Sequence, residues 1–568
     1  MQELHLPEVK RSEIDRALGE LAATREAWVT LDPESKRQLV KRMTRDLHAV
    51  SDEWATAAAR AKGVLPESTS GAEEWLTFGF LLKALNTIDR SLRDLANGQP
   101  PGIPGPVTRV GENQLSVQVF PQTMVDRIFF PGMTSEIWTE PGLSEEAMRS
   151  EQAALYRGES RPGRTTLVLG AGNVSILGPC DILDMLFCQG AVVTYKTNPV
   201  TDHLTPLLER GFAALIEAGY LRIVSGGAAE GAYLAGHEMV DELHLTGSDA
   251  TYEAIVFGPG REGRQKKTTG DRVMNKPFSC ELGNVSPVII VPGPWRPGDL
   301  AYQAEHLAAM QVVNAGFNCL STRVIIQHAS WEHRDELLEE LRQVLGRTPT
   351  RPAYYPGAHA IHQRFVAAHP EAHLIDVAEE SHLPWTVIPH VDPTNHGDIC
   401  FTTEGFCSLV AETGLEADDI RSYLERSVEF ANDVLWGSLT ITILVHPKSL
   451  RQPGVAEALE RAVRDLRYGT VGVNVWGALN YATMAGSWGA FPGHLATDIQ
   501  SGQGSVHNYT MIPRPQKTVI RGPFRQWPKP VVFPSHRTLH AMGRRVIDLE
   551  AAPSLLKLPA ILAAAMRG

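Results

Sequence analysis

The sequence predicts an α/β protein organised on a parallel, doubly wound sheet, and three observations predict it. From residue 165 onward, short apolar strands alternate with helices four times, and the loops between them carry glycine. Two more apolar runs, residues 288–291 and 324–326, read as buried strands of a second, mixed α/β unit. Ahead of any strand, residues 11–98 place apolar side chains three and four apart, the period of helices. At 568 residues the chain has room for two or three domains.

Within the helical region, Asp32 before Pro33 is an N-cap followed by proline at the first helical position. Residues 97–106, rich in glycine and proline, close that region as a linker. Residues 115–141 hold three clusters of β-formers, around residues 115–120, 127–132 and 136–139. They read as two or three strands joined by turns, an arm rather than a domain. Strand 165–169 then leads into Gly170-Ala171-Gly172-Asn173 and a helical run to residue 189. Strand 191–195 closes on Lys196, and a helix covers residues 204–218. Strand 221–224 precedes Gly226-Gly227 and a short helix near Glu230. Strand 242–245 precedes Thr246-Gly247-Ser248 and a further helix. Ligands of such sheets bind at the carboxyl ends of the strands, where these loops lie.

The pair Gly170 and Gly172 lacks the third glycine of a dinucleotide fingerprint, since Ser175 stands there, so a plain turn and a nucleotide loop are both open. In a nucleotide reading Lys196 donates to ribose hydroxyls or phosphate; otherwise it is a snorkelling surface charge. Gly247-Ser248 ahead of a helix offers backbone amides to a pyrophosphate. Residues 258–280 read as a polar, glycine-rich insertion, its basic cluster at 261–276 a solvated loop, with phosphate contact as the second reading. Residues 296–490 continue as mixed α/β, and residues 505–534 are proline-rich and strand-like. From residue 554 the tail reads as a short amphipathic helix, docked or at a subunit contact.

Bulk properties narrow the function. The formal charge is −12 with no strong basic block, which disfavours a nucleic-acid partner. Six cysteines are too sparse for a disulfide framework and point to a reducing, cytoplasmic compartment. The opening residues 1–8 carry no leader pattern, and no apolar run is long enough for a membrane span. The stretch that concentrates chemistry is residues 314–323, Asn-Ala-Gly-Phe-Asn-Cys-Leu-Ser-Thr-Arg, set between a helix and a buried strand. Cys319 on this tight polar loop suits a thiolate nucleophile, which needs access and nearby amide dipoles. An inert core thiol remains the competing reading.

Taken together, these residues resemble the aldehyde dehydrogenase superfamily over roughly residues 10–530. Asn314, Gly316, Cys319 and Arg323 are similar to its catalytic-cysteine segment, and Glu281-Leu-Gly-x-x-Ser-Pro287 to its general-base segment. Gly172-Asn173 falls on its Pro-Trp-Asn, Lys196 on its cofactor lysine, Leu245-Thr-Gly-Ser248 on its Phe-Thr-Gly-Ser turn, and Glu404-Gly-Phe406 on its Glu-x-Phe. The resemblance implies an aldehyde dehydrogenase-like fold: a Rossmann-like parallel-sheet cofactor domain, an α/β catalytic domain and a β oligomerisation arm. It divides the chain into residues 1–282 (N-terminal helices and NAD(P)-binding domain, with arm strands at about 115–141), 283–495 (catalytic), 496–533 (C-terminal arm) and 534–568 (tail).

It further implies NAD(P)-dependent oxidation of an aldehyde to an acid. Cys319 is then the nucleophile, Glu281 the base and Asn173 the oxyanion donor. Gly172, Lys196, Thr246, Gly247, Ser248, Gly283, Glu404 and Phe406 hold NAD or NADP, no metal is involved, and the protein is a homodimer or homotetramer. Departures are the missing Pro-Trp before Asn173, Asn284-Val285 where Gly-Lys is usual, a longer insertion before Cys280, and Pro199 where NAD-specific members carry a glutamate. Pro199 leaves NADP open. Two alternatives stand beside hydrolytic oxidation: an acyl-CoA reductase or CoA-acylating enzyme, towards which Gly172-Asn173 leans, and an inactive scaffold, which should have lost the Cys, Glu and Asn. Phe317, Trp476, Trp488 and Phe491 suggest an apolar substrate tunnel, with ordinary packing as the alternative.

Overall fold

The computed structural model describes residues 6–158, 161–375 and 379–568; residues 1–5, part of the segment searched for a leader, lie outside it. Three long helices, Glu8–Thr30, Pro33–Ala61 and Thr69–Ala96, open the chain. Asp32 caps the second through a 2.9 Å bond from the Ser35 amide, with Pro33 in the first turn. Ser68 caps the third in the same way. Their inner faces bury Trp28, Trp54 and Trp75 and share one core with a six-stranded sheet.

In chain order the strands are β1 (Val107–Val110), β2 (Gln114–Phe120), β3 (Thr134–Thr139), β4 (Thr165–Leu169), β5 (Val192–Lys196), β6 (Leu221–Val224), β7 (Glu242–Thr246) and β8 (Phe278–Glu281). There follow β9 (Ser286–Ile290), β10 (Thr322–His328), β11 (His373–Ile375), β12 (Trp385–Val391), β13 (Leu409–Leu415), β14 (Thr440–Leu444), β15 (Thr470–Val473), β16 (Gly502–Gln503) and β17 (Pro515–Arg521). The six-stranded sheet runs β16-β8-β7-β4-β5-β6, parallel except where β16 meets β8. The second sheet has eleven strands in the order β1-β2-β3-β17-β15-β14-β9-β10-β13-β12-β11. Its central strands are covered on both faces, so they read as unbroken apolar runs. In β9 and β10, Val288, Ile290 and Ile325 enter one core, while Ile289, Val324 and Ile326 enter the other.

Several expectations are corrected. Residues 127–132 are not a strand: Met124–Phe129 is a helix, started by a capping box in which Thr123 and Asp126 bond each other's backbone amides. The insertion at 258–280 holds the helix Gly260–Thr269, with Lys266 paired to Glu262 one turn earlier, so the basic cluster there is not all loop. The strands within residues 496–533 join both sheets of the same chain. β16 pairs with β8 in the six-stranded sheet, whereas β17 pairs with β15 in the eleven-stranded one. The arm strands pair within the chain, since β17 carries β3 on its other edge. The tail contains two helices, Leu539–Ala551 and Leu558–Ala565, and the first packs on Thr69–Ala96. Gly543 makes that approach possible, because a Cβ there would lie 2.7 Å from the Trp75 Cβ. Among the described residues, no helix is long and apolar enough to cross a membrane.

Candidate active site

Cys319 sits where the helix Pro297–Val312 turns into β10. The chain reverses there through three left-handed residues, Asn314 (φ 53°), Ala315 (φ 56°) and Gly316 (φ 80°). Such backbone costs energy at non-glycine residues and persists only where surrounding bonds hold it. A Cβ at Gly316 would meet the Cys407 carbonyl oxygen at 2.5 Å, so glycine is required. The Asn314 amide nitrogen donates to the Glu73 carboxylate at 2.9 Å. Its side chain donates to the carbonyls of Asn173 and Phe317, each at 3.0 Å. The buried guanidinium of Arg323 donates to the carbonyls of Gly316 and Asn318 on this loop and of Cys407 opposite. Ser286 at the start of β9 donates its hydroxyl to the Cys319 carbonyl at 3.1 Å.

Glu281 ends β8 in register with Thr246 of β7, and its carbonyl accepts from the Gly247 amide at 3.0 Å. Its carboxyl is buried, and Oε1 has no hydrogen-bond partner of ordinary geometry. Burial pushes this carboxyl up to about 8, helped by the charges of Asp181 and Glu404; the Cys319 thiol and the Trp488 indole are close enough to pull the other way. The Cys319 thiol is raised too, by burial first and by the Glu281 and Glu404 charges next. The sulfur and the carboxyl are therefore neighbours that share a proton economy. Asn173 uses one side-chain N–H on the Phe317 carbonyl at 3.0 Å, which leaves its second N–H for a ligand.

Two cavities meet at this point. A cleft of about 350 Å³ is lined by Gly172, Thr246, Gly247, Ser248, Gly283, Glu404 and Phe406. A largely apolar cavity of about 130 Å³ lies on the other side, with Trp476 and Trp488 in its wall. Asn173, Leu177, Glu281 and Cys319 line both. Glu404 reaches the cleft while accepting the Asn284 amide at 3.2 Å, and burial pushes it up to about 7. A Cβ at Gly283 would fall 2.2 Å from its Oε2, so the carboxyl lies directly against that glycine.

Some expected residues stand apart. Lys196 closes β5 but does not line the cleft; burial lowers it, opposed by the charges of Glu230 and Asp202. The Thr246 hydroxyl donates to Asp181 at 2.8 Å rather than to a ligand. Phe317 packs on Tyr354, Tyr355 and Phe406, and Phe491 lies under the Lys517 ammonium; neither lines the apolar cavity. A buried network beneath the site escaped the sequence reading. Lys62 donates to Glu74 at 2.6 Å and to the Asn314 side chain at 2.9 Å, and Ser175 donates to Glu74 at 3.1 Å. Arg351 grips Glu73 with two bonds of 2.7 and 2.8 Å, and the Tyr354 hydroxyl donates to the Asn173 carbonyl at 2.9 Å. The one trace of it in the sequence is Glu73-Glu74 inside an otherwise apolar helical face.

The sequence profile of the Aldehyde dehydrogenase family matches residues 160–369. An N-succinylglutamate 5-semialdehyde dehydrogenase of Hahella chejuensis is 26% identical over 223 residues, 38% of this chain and 41% of that protein. The match thus spans about two fifths of the curated relative's length. A glyceraldehyde-3-phosphate dehydrogenase of Methanocaldococcus jannaschii, solved with NADP, superposes with a TM-score of 0.60 at 14% identity, covering 91% of this chain and 96% of that one. An indole-3-acetaldehyde dehydrogenase of P. syringae, solved with NAD+, gives 0.59 at 17% identity, covering 88% and 87%.

Proposed function

We propose that this chain, which over residues 160–369 matches the Aldehyde dehydrogenase family, oxidises an aldehyde to a carboxylic acid with NAD or NADP, through a covalent bond to Cys319. The observation that carries the reading is the junction: Cys319, Glu281 and Asn173 line both the polar cleft and the apolar cavity. The cleft suits a dinucleotide. Glycines 172, 247 and 283 keep its walls thin, and Glu404 spends only one acceptor position on Asn284, leaving the rest for ribose hydroxyls. Gly247 and Ser248, ahead of the helix Asp249–Val256, would face the pyrophosphate. When bound, the nicotinamide nucleotide supplies the two-electron acceptor.

The chain's own groups do the rest. The ionised Glu281 carboxylate takes the Cys319 thiol proton and passes it to solvent, and the sulfur attacks the carbonyl carbon arriving from the apolar cavity and forms a C–S bond. The negative oxygen of the thiohemiacetal is met by the second N–H of Asn173 and by the Cys319 backbone N–H. After oxidation Glu281 takes a proton from water, the water oxygen bonds to the acyl carbon, and the C–S bond breaks to release the acid and the thiolate. We place the protein in the cytoplasm, with small-molecule partners only and as a homodimer or homotetramer.

A second reading, acyl transfer to a thiol such as CoA, is favoured by one observation. Burial of the Glu281 carboxyl, which pushes it up to about 8, leaves only a minor ionised fraction to act as base at neutrality, which lengthens the life of an acyl-enzyme. The test is an aldehyde panel with NAD and NADP, with and without CoA, and identification of the product. Free acid without CoA, lost in Cys319→Ser, supports oxidation to the acid; an acyl-CoA product replaces it with the second reading. No turnover under any condition defeats both.

A further inference from the structure

The apolar cavity at Cys319 does not end where the catalytic residues end. A second chamber of about 170 Å³ adjoins it, and Leu76, Phe80, Leu479, Ala482 and Val532 line both. Its far walls come from the helix Met124–Phe129 and from the C-terminal segment, through Met542, Val546, Leu549, Leu562 and Ala565. That segment is the part of the chain beyond the family resemblance.

Three of the four charged side chains that line this chamber, Lys83, Asp126 and Glu550, form one ionic cluster. Lys83 pairs with Asp126 and lies 3.8 Å from Glu550, which also accepts from the Asn86 amide at 2.7 Å. Asp126 further accepts the Gln122 and Thr123 amides, each at 3.0 Å. In the first cavity Lys62, Glu73 and Glu74 are likewise spent on Asn314, Arg351 and each other. Lys529, the remaining charge on the second chamber, donates to the Ser535 hydroxyl at 2.7 Å; the rest of the tail-facing surface is largely apolar and selects for hydrocarbon.

We propose that the two chambers form one channel for an unbranched alkyl chain, so that the substrate is a long-chain aliphatic aldehyde whose tail passes Phe80 and Val532 and lodges beneath the C-terminal helices. This rests on the reading of Cys319 as the nucleophile, which fixes the carbonyl end of the substrate. Burying each methylene strengthens binding by about three- to fourfold.

The experiment measures binding apart from turnover. Full-length Cys319→Ser protein is titrated calorimetrically with butan-2-one, octan-2-one and dodecan-2-one, neutral carbonyl compounds that cannot be oxidised as aldehydes are. The channel requires dodecan-2-one to bind at least tenfold more tightly than octan-2-one. Ala565→Trp and Val546→Phe, each added to that background, should shrink this ratio to below threefold. Equal binding of the two longer ketones, or a ratio untouched by both replacements, overturns the channel. Should either replacement give unfolded protein, the ketone series on the parent decides alone. A parallel assay separates the two claims. Aldehydes oxidised with a flat ketone series leave the reaction standing and remove the channel. A steep series with no aldehyde oxidised by either nucleotide does the reverse.

Discussion

Glu281 shows how one side chain couples chemistry to stability. In the folded protein its carboxyl keeps its proton to about pH 8, against a usual value near 4.5. Between those values the folded state binds more protons than the unfolded one, so this group lowers stability as pH rises. Glu281→Gln should therefore raise the melting temperature relative to wild type at pH 9 and leave it nearly unchanged at pH 4, a difference worth a few kcal/mol, read by thermal melts across pH. The same ionisation should appear in turnover. Wild-type kcat should climb with pH through a limb centred near 8, and that limb should vanish in Glu281→Gln, measured with buffers from pH 6 to 10. The carboxylates of Glu230 and Asp202 act on Lys196, which lies outside the cleft wall, and would stand near a ribose only on the proposed reading of Lys196 as a nucleotide contact. Their charge opposes a 2′-phosphate, so NAD should be used with the higher kcat/KM, and Asp202→Asn should narrow its advantage over NADP. One such carboxylate is worth about tenfold if it contributes about 1.4 kcal/mol. That Cys319, Glu281 and Asn173 come together was legible only from the family motifs in register, since singly each reads as a core thiol, a surface carboxylate or a turn amide. Lys62, Glu73 and Glu74 were not, because their partners lie from about ten to nearly three hundred positions away and a paired carboxylate looks like a solvated one.

Among elements, the most consequential is the third helix, Thr69–Ala96, whose second turn carries Glu73 and Glu74 under both the Cys319 loop and the Asn173 turn. Lys62 is held by burial against its charge and by Glu74 in favour of it, ending raised to about 12. Removing the carboxylate in Glu74→Gln leaves that ammonium buried and short of its partner. We expect a loss of roughly 3 kcal/mol in urea unfolding, together with lower kcat as Asn314 and Asn173 lose their anchor. Strands β4 to β7 were readable since strands buried on both faces are continuous apolar runs. The helix Met124–Phe129 was misread because its β-forming residues outweighed a capping box of two polar ones. Gly260–Thr269 was passed over because a polar, exposed helix buries too little to leave an apolar period.

At the scale of the molecule, the two α/β units follow from patterns that the sequence displays, yet their strand order and the partner of the arm do not. Alternating side chains specify an edge that wants pairing; they do not say whether the neighbour belongs to the same chain. Here β17 fills the gap between β3 and β15 and joins residues near 134 to residues near 521. That arrangement has a consequence for synthesis. The hairpin of β2 and β3 leaves the ribosome early and must wait, one edge bare, until almost the whole polypeptide has emerged. Chains stopped at residue 514 should accumulate in inclusion bodies, whereas chains stopped at 535 should keep a larger soluble share, scored by fractionating expressing cells. Chaperone demand would then peak late in translation, set by when the last strand arrives rather than by how many residues remain.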